Sequence, residues 1–125
     1  MYLLKIERVI RINAKILGGS PALRDRTLLE SAIARPYASA FGQDAYPTVT
    51  EKAAALLHSL VLNHPFVDGN KRTATVTTYY FLNKNGLKVI WKQPEALEFI
   101  IEVAEGKHDV PAIARWLEMN TEPIP

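Results

Sequence analysis

A chain of 125 residues, 48% hydrophobic and 22% charged, has the size and composition of one globular domain, which excludes a disordered polymer. Fifteen Lys and Arg against thirteen Asp and Glu leave a net charge of +2, too little to argue for nucleic-acid binding on electrostatic grounds. The absence of Cys excludes disulfides, thiolate nucleophiles and Cys-ligated zinc, so metal or acid–base chemistry must use His58, His64, His108 or carboxylates.

Lys5, Glu7, Arg8, Arg11 and Lys15 break up any signal-peptide core at the start of the chain. The longest uncharged run, Ala53 to Val67, is too short and too polar to span a bilayer. A cytoplasmic protein without membrane contact is the expectation. Residues 2–17 are predicted helical, because Leu3, Ile6, Val9, Ile10, Asn13 and Leu17 follow helical spacing. Gly18-Gly19 ends that helix. Asp25 is the predicted N-cap of a helix over 26–35, which Pro36 stops. Residues 36–47 hold two Pro, a Gly and three aromatics with little periodicity, which reads as an irregular flap or short hairpin.

Thr48 and Glu51 form a capping box ahead of a helix over 49–63. A loop over 64–69 leads into a second long helix over 70–84, closed by Asn85-Gly86. Nothing between Arg72 and Lys84 is charged, and four Thr are present. Such a helix is predicted to be buried all round at the centre of the fold, its Thr hydroxyls bonding back to the preceding turn. A short strand over 87–91 is followed by helices over 94–105, with Pro94 in its first turn, and 109–118, with Asp109 as N-cap. The tail from Asn120 to Pro125 is expected to fray. The sum is an all-α domain of about six helices with at most a small β element.

Several residues read as structural. His58 is expected to be a packed or hydrogen-bonded helix residue, and His108 solvated beside the Asp109 cap. Tyr79, Tyr80 and Phe81 read as core. Trp91 and Trp116 are large apolar anchors. The basic residues Arg8, Arg11, Lys15, Arg24 and Arg26 read as a solvated face.

The chemistry concentrates in His64-Pro65-Phe66-Val67-Asp68-Gly69-Asn70-Lys71-Arg72-Thr73. The first-turn amides of the following helix lack intrahelical acceptors and, with the helix dipole, suit phosphate. Gly69 would let the backbone approach a ligand closely. Lys71 and Arg72 are cations at the helix end where cations are unfavourable, unless a bound polyphosphate reverses the sign. Asp68 offers a hard oxygen for Mg2+ beside phosphate. His64 is of the residue type suited to general-base work toward a hydroxyl near neutral pH. Base, metal ligand and phosphate cradle together point to nucleotide-dependent transfer to a hydroxyl.

The stretch resembles the signature of the Fic/Doc family: His, any, Phe, any, Asp or Glu, Gly or Ala, Asn, Gly or Lys, Arg. Every fixed position is met. The chain length, Gly18-Gly19, Leu23-Arg24-Asp25 and Asn85-Gly86 also resemble the short Doc (death-on-curing) branch. The resemblance implies a Fic-type fold, with His64 as catalytic base, Asp68 as magnesium ligand, and Gly69, Asn70, Lys71 and Arg72 as the nucleotide-binding nest. Arg72 is also the catalytic neutraliser of charge on the transferred group. Phe66 matches an inward-packed anchor. Adenylyl-transferring Fic enzymes usually carry Gly where this chain has Lys71, and a second Arg where it has Thr75.

The Doc branch has the same Lys, which implies transfer of the γ-phosphate of ATP rather than AMP. By that resemblance the acceptor is a Thr or Ser on elongation factor Tu, and translation halts. No inhibitory motif is found: Ile101 stands where Ser or Thr is required before Glu105-Gly106. The resemblance therefore implies a separate antitoxin of the Phd type, whose disordered tail folds into a groove. Two readings stay open beside this one: a Fic-type protein adenylyltransferase, and a catalytically silent binding module.

Overall fold

The computed structural model describes all residues, 1–125. Helix α1 runs from Ile6 to Ile16, four residues later than periodicity predicts. Distant partners win the opening residues. The Tyr2 N–H bonds to Asn85 Oδ1 at 3.0 Å and the Leu4 N–H to the Tyr37 hydroxyl at 2.9 Å. Those bonds hold the segment extended, and Leu3 is left exposed.

The remaining elements are α2 (Arg26–Ala34), a 3-10 turn (Arg35–Tyr37), β1 (Ser39–Ala40), β2 (Gln43–Asp44), α3 (Val49–Asn63), α4 (Asn70–Lys84), β3 (Leu87–Val89), α5 (Gln93–Ala104), α6 (Val110–Met119) and β4 (Thr121–Pro123). The all-α architecture with a small β flap is as expected. The local caps form as well. Asp25 accepts from the Leu28 N–H, Thr48 from the Glu51 N–H and Asp109 from the Ala112 N–H. The Glu51 carboxylate closes its box differently from the usual form, accepting from the Thr48 hydroxyl at 2.8 Å.

Helix α3 is the one buried nearly all round, with Lys52–Leu57 and Ser59–Val61 inside. It packs against α2, the 3-10 turn, α4, α5 and α6. Helix α4 lies against α1, α3 and β3, and it differs from the expected burial on every side. Thr73, Ala74, Thr77, Thr78, Phe81 and Leu82 are inside, while Val76 and Tyr79 are 44% and 48% exposed. Its outer face is uncharged but not covered within the chain. Among its Thr residues, Thr75 donates back to the Lys71 carbonyl, and Thr73 accepts from Asn13. The Thr77 and Thr78 hydroxyls are buried without a partner.

The flap is a hairpin, β1 pairing antiparallel with β2 through Ser39↔Asp44 and Ala40↔Gln43. Phe41 and Gly42 at its tip have φ of 54° and 76°, the sign that primed hairpin turns require. Its anchor is Lys52, a buried cation that donates to Asp44 Oδ2 at 3.1 Å, the Tyr46 carbonyl at 2.6 Å and the Pro36 carbonyl at 3.4 Å.

The tail does not fray. Thr121–Pro123 pairs antiparallel with Leu87–Val89, extended by the Ile90 N–H to the Asn120 carbonyl and the Ile124 N–H to the Gly86 carbonyl. His108 is half-buried rather than freely solvated: its ring lies 4.5 Å from that of Phe99, and Nε2 pairs with Glu102 at 2.8 Å. Phe99 stacks on Trp116 and Trp116 on Trp91, so both indoles serve as the expected anchors.

Candidate active site

The loop between α3 and α4 gathers the motif. Helix α3 ends on His64 itself, which takes the left-handed conformation at φ 48° and ψ 57°. A residue with a Cβ is strained there, and such strain persists only where the surroundings impose it. They do so through one segment. The Arg24 and Asp25 N–H groups donate to the Pro65 carbonyl, and the Val67 N–H returns to the Ala22 carbonyl. Arg24 adds its side chain, Nε to the His64 carbonyl at 2.8 Å and Nη2 to the Asn63 carbonyl at 3.1 Å. It thereby satisfies two carbonyls that the helix end leaves open. Arg24 is thus a brace on the motif loop, not part of a merely solvated basic face.

Phe66 is buried and anchors the loop, as its type suggests. Asn70 locks it: Oδ1 accepts from the Phe66 N–H at 3.0 Å, and Nδ2 donates to the Phe66 carbonyl at 2.8 Å. Both ends of that side chain are engaged inside the protein, so what Asn70 can offer a ligand is its backbone amide. Gly69 has φ +76°, and a methyl group there would lie 3.3 Å from Leu17 Cδ2 and 3.4 Å from Asn13 Nδ2. Its lack of a side chain thus serves close packing against α1, where sequence reasoning credits it to the ligand side.

His64, Val67, Asp68, Gly69, Asn70, Lys71 and Arg72 line one open cavity of about 270 Å³. An adjoining cavity of about 250 Å³ shares Lys71 and Arg72 and continues over Thr75, Val76 and Leu97. The pair is on the scale of small-ligand sites, about 300–1,000 Å³. The largest cavity, about 490 Å³, opens near the start of α3, between Tyr46, Glu51, Arg115 and Glu118. It holds no His and none of the motif residues, so size does not mark the site here.

Within the motif cavity the His64 imidazole makes no hydrogen bond to the protein, and Lys71 and Arg72 enter no ion pair. Two unpaired cations therefore flank the amides of Asn70, Lys71 and Arg72, the groups that open α4 without intrahelical acceptors. The Thr73 N–H already bonds to the Gly69 carbonyl. Open amides and cations of this kind suit an anion, and an imidazole without a protein partner stands beside them.

Asp68 is the only carboxylate on the cavity wall, and no group of three or more His, Asp or Glu gathers anywhere in the chain. One of its oxygens accepts from the Gly69 N–H at 2.7 Å. A single carboxylate does not make a protein cage for a transition metal. It fits Mg2+, which takes its other ligands from water and phosphate oxygens.

The family model described as Fic/DOC family matches residues 3–82. The chain belongs to the Fic/Doc family. Among Fic/Doc relatives, it is 43% identical over 113 residues to the protein named Toxin Doc of Mycolicibacterium smegmatis, covering 89% of this chain and 87% of that one. It is 32% identical over 108 residues to the protein named Protein kinase doc of Escherichia phage P1, covering 84% and 82%. The likeness to these Doc proteins places the chain in the Doc branch that its motif resembles.

Sequence reasoning misses two residues that build this Fic/Doc site. Arg24 stands out in the sequence only as part of Leu23-Arg24-Asp25, and its bracing role gives no local signal, because its partners lie about forty positions away. Asn13 does give one: it is an amide at a core position on the apolar face of α1.

Proposed function

We propose that this protein is the toxin of a toxin–antitoxin pair, and that it transfers the γ-phosphate of Mg-ATP to a Thr or Ser hydroxyl of a target protein. The acceptor proposed is elongation factor Tu, with arrest of translation as the result. The observation that carries the reading is the unpartnered His64 imidazole sharing one cavity with the open amides of α4 and two unpaired cations. The names of the two relatives, a toxin and a protein kinase, lend it support.

In this reading the first-turn amides of α4, with Lys71 and Arg72, bind and orient the polyphosphate. Asp68 holds Mg2+, which supplies charge neutralisation to the phosphates. His64 takes the proton from the acceptor hydroxyl, whose oxygen forms the new bond to the γ-phosphorus. The bond between that phosphorus and the β–γ bridging oxygen breaks, and ADP leaves. Arg72 neutralises charge on the transferred group. Lys71 fills the space that adenylylating relatives leave open with Gly, which favours γ- over α-phosphate transfer.

A toxin of this kind implies an antitoxin. The cavity wall formed by Ile16, Val76 and Leu97, apolar and adjoining Lys71 and Arg72, suits the amphipathic tail of such a partner.

Incubation with elongation factor Tu and ATP labelled at either the γ- or the α-phosphate tests the activity. Label is expected from γ-ATP alone, and His64→Ala is expected to lower the rate about 10²- to 10⁴-fold. Transfer of the α-label would establish AMP transfer instead. Undiminished γ-transfer by His64→Ala would remove the assigned base.

A further inference from the structure

Asn13 is 0% exposed on the apolar face of α1, where Leu or Ile would suit the packing. A buried amide is costly unless it is bonded. All of its bonds go to the active-site loop or the chain that frames it. Nδ2 donates to the Asp68 carbonyl and to Thr73 Oγ1, each at 3.1 Å. Oδ1 accepts from the Ala22 N–H at 2.9 Å, and the Ala22 carbonyl in turn receives the Val67 N–H.

One side chain therefore ties α1 to the segment before α2, to the motif loop and to the first turns of α4. Asp68 is held from two sides, its carbonyl by Asn13 and one carboxylate oxygen by the Gly69 N–H. A side chain at position 69 would crowd Leu17 and the Asn13 amide, so glycine there leaves Asn13 free to reach the Asp68 carbonyl.

We infer that Asn13 is a positioning residue for the metal–nucleotide site: it sets where Asp68 stands relative to the open amides of α4. This rests on the proposed Mg-ATP reading and adds to it a residue outside the motif. Three substitutions separate positioning from bulk stability. Asn13→Leu keeps roughly the volume and removes all three bonds. Asn13→Asp keeps the acceptor for Ala22 and removes both donors. Thr73→Val removes one acceptor and leaves the Asp68 bond.

Calorimetric titration with the ATP analogue AMPPNP, with and without Mg2+, reads the difference. For both Asn13 variants the affinity with Mg2+ is expected to fall about tenfold, as for losses of residues that orient metal ligands, and the metal-free affinity to change by less than about twofold. Thr73→Val is expected to stay near wild type. Equal losses with and without Mg2+, or no loss in either, would overturn the assignment. Should the Asn13 variants not fold, the wild-type protein decides. Adding Mg2+ to its AMPPNP complex is expected to shift the Asn13 side-chain NH2 resonances, and resonances that stay put while that of the Gly69 amide moves would overturn it. A wild type that binds no AMPPNP at all would overturn the nucleotide reading together with this one.

Discussion

His64 is asked to hold a backbone conformation that it does not favour, and Arg24 is the side chain placed to hold it there. Arg24 lies on the surface, so its removal should leave the fold intact and the imidazole less well aimed. Arg24→Ala is therefore expected to lower the turnover rate roughly ten- to a hundredfold, since small misplacements of a reacting group cost that much. AMPPNP affinity should be unchanged, and Arg24→Lys should restore part of the rate. Loss of nucleotide binding in step with turnover would argue against this role.

His58 offers a second test at this scale, away from the site. Its Nδ1 lies 2.9 Å from Arg35 Nη1, which also reaches Ser59. The ring is therefore an acceptor and neutral. Burial first, then the Arg35 charge, push its pKa below the usual 6.5, against a smaller opposing pull from Asp109. A depressed His pKa means the unfolded chain takes up the proton first as pH falls. The stability contributed is complete above pH 6.5 and is lost progressively below it, toward the folded-state value. Thermal unfolding from pH 8 to pH 5 should show this loss, and His58→Gln should flatten it.

At the scale of elements, the hairpin carrying β1 and β2 is too short to be stable alone. Lys52 connects it to α3 with three bonds, two of them to carbonyls that no strand pairing satisfies. Lys52→Met keeps the buried stem and removes the ammonium. It should destabilise the protein by about 1–3 kcal/mol, the cost of leaving buried acceptors unpaired. Limited proteolysis within residues 38–46 should speed up before global unfolding does. Cleavage at the wild-type rate would show that the hairpin has another anchor. Its tip presents Phe41, fully exposed.

Across the whole molecule, α3 is the spine, and most other elements lie against it. The strand pair β3–β4 closes the far end, so removal of Thr121–Pro125 should lower the melting temperature by several degrees, as expected for about 1 kcal/mol in a domain of this size. An unchanged melting temperature would make that pairing incidental. The sequence is informative where structure is local. Asp25, Thr48 and Asp109 cap helices because a cap and its amide lie within three residues. It is uninformative where the partner is distant. Tyr2 and Leu4 are drawn out of α1 by Asn85 and Tyr37, and Thr121–Pro123 pairs with a strand more than thirty positions earlier.

The motif itself is readable as residue types, but the division of labour within it is not. Asn70 and Gly69 serve the loop as much as any ligand, and Arg24 and Asn13 join it only through space. One consequence follows from α3 ending on His64. The rod that fills the interior also carries the imidazole proposed as base, so drift among the alanines and leucines of the core would detune the proposed chemistry at the surface. Inactive descendants of this chain should then arise with every motif letter intact, their lesion hidden a full helix length away.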